Sequence, residues 1–142
     1  MVYTGLAAFD TTVDKTNHVL RRIEQAFGWS KDQRKLSYHA LRAALHALRD
    51  RLPVDESAQL AAQLPMLIRG IYYEGWDPSR VPVKLGREEF LERVRREFRY
   101  DDEIDVFQLT QTVLGALREH ITDGEWQDIR STLPSELAAI LS

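Results

Sequence analysis

The side chains best suited to acid–base or metal chemistry are the four histidines, His18, His39, His46 and His120. His39 and His46 are seven residues apart, so on a helix they share a face, and Asp50 follows one turn after His46. A metal centre built on that face would need a further ligand from another element. No histidine pair stands at i,i+4, and there is no His-Glu-x-x-His motif. The histidines therefore read as surface or boundary side chains, with Asp14 and His18 an i,i+4 surface pair. No metal and no cofactor is expected.

Carboxylates are the next candidates. Glu74 and Asp77 flank Trp76. An apolar neighbour raises a carboxylate pKa and can make the group a general acid. The same two acids also suit a helix end and a turn. Nucleophilic chemistry has no foothold: the chain has no cysteine, no Gly-x-Ser-x-Gly and no Gly-rich phosphate loop. These side chains leave the question of an enzyme open and lean against one.

The remaining constellation is aromatic. Tyr72, Tyr73 and Trp76 lie in the stretch Gly70–Pro78, which continues through Ser79 and Arg80 to Pro82. Tyrosine and tryptophan supply large, rigid contact area at low entropic cost. Two readings stand side by side. In one, Tyr72 is core and Trp76 folds the following linker back onto it. In the other, the stretch is a recognition surface for a protein or a small ligand, with Tyr73 on the margin of the buried stripe and partly exposed. The candidate binding residues are Tyr72, Tyr73, Glu74, Trp76 and Asp77.

Charge restricts the partner class. Basic residues number 19 and acidic residues 22, a formal net charge of -3. The arginines Arg93, Arg95, Arg96 and Arg99 are interleaved with glutamates and followed by an acidic run. That pattern is a solvated helix face, and no nucleic-acid partner is expected. No apolar run approaches the roughly 18 residues of a membrane span. Residues Met1–Phe9 lack the basic flank and long apolar run of a signal peptide. A soluble, cytoplasmic protein without a membrane partner is the expectation.

The elements that must position the aromatic stretch are helices. After the N-cap types Asp10, Thr11 and Thr12, the residues Val13, Thr16, Leu20, Ile23 and Phe27 recur at steps of three and four, one stripe of an amphipathic helix that stops at Gly28. Residues 1–9 read as a loose arm from which Tyr3, Leu6 and Phe9 could dock. Ser30 and Gln33 form a capping box for a long helix with Leu41, Ala44, Leu45, Leu48 and Leu52 on one face, ended by Pro53. A short helix at about Glu56–Ala62 precedes the Leu64-Pro65 break. The next helix carries the stripe Leu67, Ile68, Ile71 and Tyr72 and ends at Gly75. Residues 76–86 read as a linker. A helix with Phe90, Leu91, Val94 and Phe98 follows, with Glu89/Arg93 and Glu92/Arg96 as outer i,i+4 pairs. Acids at 101–105 open a helix carrying Val106, Leu109, Val113, Leu114 and Leu117. Thr122 and Glu125 form another capping box before Trp126 and Ile129. Leu133-Pro134 precedes a last helix with Leu137, Ile140 and Leu141.

The order repeats. Leu45–Pro65 laid over Leu114–Pro134 without gaps pairs Leu45, Ala47, Leu48, Arg49, Glu56, Leu64 and Pro65 with Leu114, Ala116, Leu117, Arg118, Glu125, Leu133 and Pro134. The shared Leu-Pro break at one offset points to an internal repeat. The expected architecture is all-α: two tandem pseudo-symmetric four-helix halves, about 10–75 and 87–141, joined by the linker 76–86 into a single helical bundle domain over 1–142.

The segments Leu48–Pro53, Gln63–Gly70 and Tyr72–Pro78 resemble domain-of-unknown-function family 2267, over nearly the whole chain from about Phe9 to Leu141. The resemblance implies a small helical, cytoplasmic, prokaryotic protein and brings no catalytic residues. The reading is thus a non-enzymatic interaction or regulatory module with a protein partner or self-association. The alternative is a small-ligand-binding protein with a pocket between the halves near Tyr72–Trp76.

Overall fold

A computed structural model of the chain describes residues 4–141. Among these it forms eight α-helices and no strand: α1 (Ala7–Phe27), α2 (Arg34–Arg51), α3 (Val54–Gln63), α4 (Met66–Tyr73), α5 (Arg87–Glu97), α6 (Val106–Leu117), α7 (Asp123–Thr132) and α8 (Ser135–Ala138). Single 3₁₀ turns occur at Lys31–Gln33, Pro78–Arg80, Arg118–His120 and Ala139–Leu141. The all-α expectation holds.

The centre is α2. Every residue from Ala43 to Arg49 is buried, together with Ala40 and Leu41. The alanines Ala40, Ala43, Ala44 and Ala47 leave room for neighbours to approach, and α2 packs against α1, α4, α5 and α6. Leu41, Leu45 and Leu48 are fully enclosed. Burial of each such side chain contributes about 1.5–3 kcal/mol. α6 is the second core element and packs on α1, α2, α5 and the last 3₁₀ turn. One hydrophobic core thus draws on both ends of the chain.

The Leu-Pro breaks behave alike. Pro65 (φ -54, ψ 147) precedes α4 and Pro134 (φ -60, ψ 151) precedes α8. Each follows a helix of 10 residues, α3 or α7. Extended backbone at the proline followed by helix is the arrangement its fixed φ favours.

Several local expectations are corrected. α1 begins at Ala7, ahead of Asp10–Thr12, because the Leu6 carbonyl takes the first helical amides, Phe9 N at 3.1 Å and Asp10 N at 3.0 Å. The Asp10 carboxylate instead turns back to the Thr4 amide and hydroxyl at 3.0 and 2.9 Å. Leu6 and Phe9 do not dock on the core but stand exposed; Tyr3 lies outside the described residues. Leu67 is exposed, not buried. The linker 76–86 runs along the end of α2, where Val83 N donates to the Asp50 carbonyl at 2.7 Å and Arg51 Nε to the Leu85 carbonyl at 3.2 Å.

Two side-chain pairs form differently as well. Arg93 binds Asp50 on α2 at 2.8 Å, and Glu89 accepts from the Gly86 amide at 3.2 Å, which caps α5. The Thr122 hydroxyl accepts from Glu125 N at 3.2 Å, but Glu125 does not reach back. The Thr122 amide donates instead to Gln63 Oε1 at 2.8 Å, across from α3.

Candidate functional site

α4 carries the aromatic stretch, and two basic side chains of α2 hold its C-terminal end. The last carbonyls of a helix have no partner within it. Here His46 Nε2 lies 2.8 Å from the Ile71 carbonyl. Arg49 Nη1 donates to the carbonyls of Tyr72 at 3.0 Å and Glu74 at 2.7 Å. Arg49 Nε is balanced by Asp50 at 2.9 Å. His46 is buried, contrary to the surface or boundary position its spacing suggested, because both ring nitrogens find acceptors there; Nδ1 faces Glu97 Oε1 at 3.3 Å. Its two nitrogens are therefore engaged within the fold. Burial pushes the Glu97 carboxyl up, but the bonded His46 and nearby Arg42 and Arg49 outweigh this and hold it below its ordinary value.

The five candidate binding residues separate by role. Tyr72 is wholly enclosed, and its hydroxyl lies 2.8 Å from Ser57 Oγ on α3. Burial pushes that hydroxyl well above the ordinary tyrosine range. Tyr73 is half-buried and stands edge-on to Tyr72, with ring centroids 5.5 Å apart. Trp76 is half-buried and tilts against Tyr73 at 5.2 Å, and its indole nitrogen has no hydrogen-bond partner. Glu74 pairs with Arg42 on α2. Asp77 closes a tight turn, accepting from the amide and hydroxyl of Ser79 at 3.0 and 2.6 Å. Those two bonds, with Arg80 beside them, hold its carboxyl below the usual range. Glu74 and Asp77 do not converge on a reacting position: one is held on α2, the other inside its own turn.

The start of α4 offers a surface that the sequence reading missed. A cleft of about 580 Å³ lies between the first turns of α1, the α3–α4 junction and His120. Arg69 borders it, but its guanidinium is spent on the end of α3, donating to the carbonyls of Ala61, Ala62 and Leu64 at 2.8, 3.2 and 3.0 Å. Burial, with Lys15 and His18 nearby, outweighs the opposing Glu119 and lowers the His120 pKa. Met66, which lines the cleft, and Leu67 after it are exposed by 51% and 44%, and Leu6 and Phe9 at the start of α1 by 57% and 45%. The two helices are joined here by Thr12 Oγ1, which accepts from the Leu67 amide at 2.9 Å. Phe9 is one turn before Thr12. A short helix needs few anchors: Ile68 and Tyr72 alone are buried on α4, so Leu67, one step around, turns outward.

Met66, Gly70 and Tyr73 recur at steps of four and three, on one outward face of α4. A Cβ built on Gly70 would meet nothing within 4 Å. The glycine is therefore not required by packing within the chain, although it weakens a helix by about 1 kcal/mol relative to alanine. The face is apolar at both ends and flat in the middle.

Residues 16–140 match the family described as "Uncharacterized conserved protein (DUF2267)". The chain belongs to this family. The match runs from the middle of α1 into the last 3₁₀ turn and includes the whole of α4 with its His46 and Arg49 supports. No curated protein matches the chain. No helix among the described residues is long and apolar enough to cross a membrane.

Proposed function

We propose that this family member is a non-enzymatic interaction module of the prokaryotic cytoplasm, and that the outer face of α4 is its contact surface. The surface runs from Met66 and Leu67 past Gly70 to Tyr73 and Trp76. The observation that carries the reading is the exposure of Met66 and Leu67 at the start of α4, a helix that packs on α1, whose own start exposes Leu6 and Phe9. Large apolar side chains left exposed on packed neighbouring helices are a mark of interaction sites. The open space over Gly70 permits close approach of a partner backbone. Tyr72, Glu74 and Asp77 act behind the surface: Tyr72 anchors α4, Glu74 ties it to α2, and Asp77 shapes its exit. The tandem pseudo-symmetric reading of the halves is supported by the matched order of α1–α4 and α5–α8 and by the two alike Leu-Pro junctions.

The test compares the native chain with Leu67→Asp and Gly70→Gln. Both positions are exposed, so melting temperatures should stay close to the native one, within about 0.5 kcal/mol in stability. Sedimentation and cross-linking with mass spectrometry should show a dimer or a bound protein for the native chain and its loss in both variants. Contacts that persist unchanged in both variants would remove this face from consideration.

A second reading, small-ligand binding, has one observation in its favour. A cleft of about 380 Å³ opens between Asp50, Gly75, Asp77, Arg80 and Arg93, next to Trp76. Its charges are already paired, Asp50 with Arg93 at 2.8 Å and Asp77 with Arg80 at 3.3 Å. A ligand would have to displace these pairs, which ranks this reading second.

A further inference from the structure

α3 and α7 pack against each other in antiparallel fashion. Glu56 at the start of α3 is near Thr132 at the end of α7, while Gln63 at the end of α3 is bonded to Thr122 before α7. Between them three carboxylates converge: Glu56 from α3, and Glu125 and Asp128 from successive turns of α7. One oxygen of each lies within 4.8 Å of the others. Glu125 is only 6% exposed. Its Oε2 and that of Glu56 are buried with no hydrogen-bond partner. Glu56 Oε1 accepts from the Thr132 hydroxyl at 3.4 Å, but the two buried Oε2 atoms have no donor, and like charges so placed need a cation or a proton between them.

Gln63 explains how Glu125 becomes free. By accepting from the Thr122 amide, Gln63 takes the bond that a capping box would assign to Glu125. The Glu125 carboxylate then turns inward toward Glu56. The dipole of α7 favours an acid in its first turn, but does not account for one enclosed against a second glutamate.

We propose that Glu56, Glu125 and Asp128 form a binding site for a hard divalent cation of calcium size that links α3 to α7. The donors are all carboxylate oxygens, the set preferred by such ions over softer metals. Calcium binds oxygens at about 2.3–2.6 Å, so ligands on opposite sides of it stand about 4.6–5.2 Å apart. Three carboxylate oxygens, all within 4.8 Å of one another, can close around such an ion by small side-chain adjustments. Magnesium, at about 2.0–2.1 Å, demands a tighter, near-octahedral set and dehydrates reluctantly. The site joins the two halves of the chain, so its occupancy would couple their packing.

The experiment uses the full chain, freed of metal with a chelator, and titrates it with calcium chloride by calorimetry and by thermal melting. Saturable binding of one ion, with a dissociation constant on the order of 10⁻⁴–10⁻³ M and a rise in melting temperature, is expected. Glu125→Gln removes the carboxylate charge at constant shape, and Asp128→Asn alters an exposed position. Both variants should fold and should lose about tenfold or more in affinity, whereas Glu88→Gln, at an exposed position on α5, should bind as the native chain does. Absence of saturable binding by the native chain, or binding unchanged in both Glu125→Gln and Asp128→Asn, would overturn the proposal. The first of those outcomes would assign the pair to a shared proton. Neither outcome touches the α4 surface, which is tested separately.

Discussion

Arg49 of α2 donates from one nitrogen to the Tyr72 carbonyl of α4 at 3.0 Å and from the same nitrogen to the Glu74 carbonyl at 2.7 Å. One buried guanidinium thus terminates the helix that carries the candidate surface. Arg49→Met leaves both carbonyls without a donor and should destabilise the protein by about 2–4 kcal/mol, read by chemical denaturation. Arg49→Lys should recover only part of this loss, because a single ammonium lacks the planar fork that also reaches Asp50.

Tyr72→Phe removes the Ser57 contact but keeps the ring. Ser57 Oγ still donates to the Arg49 carbonyl at 3.2 Å, so the cost should be modest, about 0.5–1.5 kcal/mol. The native hydroxyl has its pKa raised above the ordinary 10.0 by burial. Its contribution is therefore present below that value and lost as pH rises through the folded-state pKa. An ultraviolet titration should show a tyrosine that ionises only as the native chain unfolds, and Tyr72→Phe should remove that late step.

Glu97 sets an acid-side dependence. Its folded-state pKa is depressed below 4.5. The stability it contributes is present above that value and lost as pH falls through the folded-state pKa. Glu97→Gln should therefore lower the melting temperature at neutral pH and flatten its decline below about pH 4.5. A decline of the same slope in both proteins would show that the His46–Glu97 contact carries no such linkage.

The halves should depend on each other. α2 packs on α5 and α6 as well as on α1 and α4. A fragment of residues 1–73 would expose the faces of Leu41, Leu45 and Leu48 turned toward the second half. It is also near the size at which a lone core becomes marginal. Such a fragment should bind hydrophobic dyes and melt without a cooperative transition. A sharp melt near that of the full chain would show that the first half folds alone.

Much of the fold was legible in the sequence because helices are specified locally. Stripes at steps of three and four, the stops at Gly28 and Pro53, and the Leu-Pro junctions each depend on neighbours within a few residues. All of them correspond to helices or helix ends in the structure. The aromatic stretch was equally visible, as a cluster of large side chains at a helix exit.

What a side chain does at long range was decided only by the tertiary structure. The stripe that placed Leu67 inside could not show that an eight-residue α4 is anchored by Ile68 and Tyr72 alone. The spacing of His46 could not show that it meets Ile71 and Glu97, 25 and 51 residues away. The capping pattern at Thr122 was read from its own segment, but Gln63, 59 residues earlier, competes for the same amide. That competition turns Glu125 toward Glu56. Local pattern determines which backbone groups need partners; only the packed chain determines which side chain arrives first.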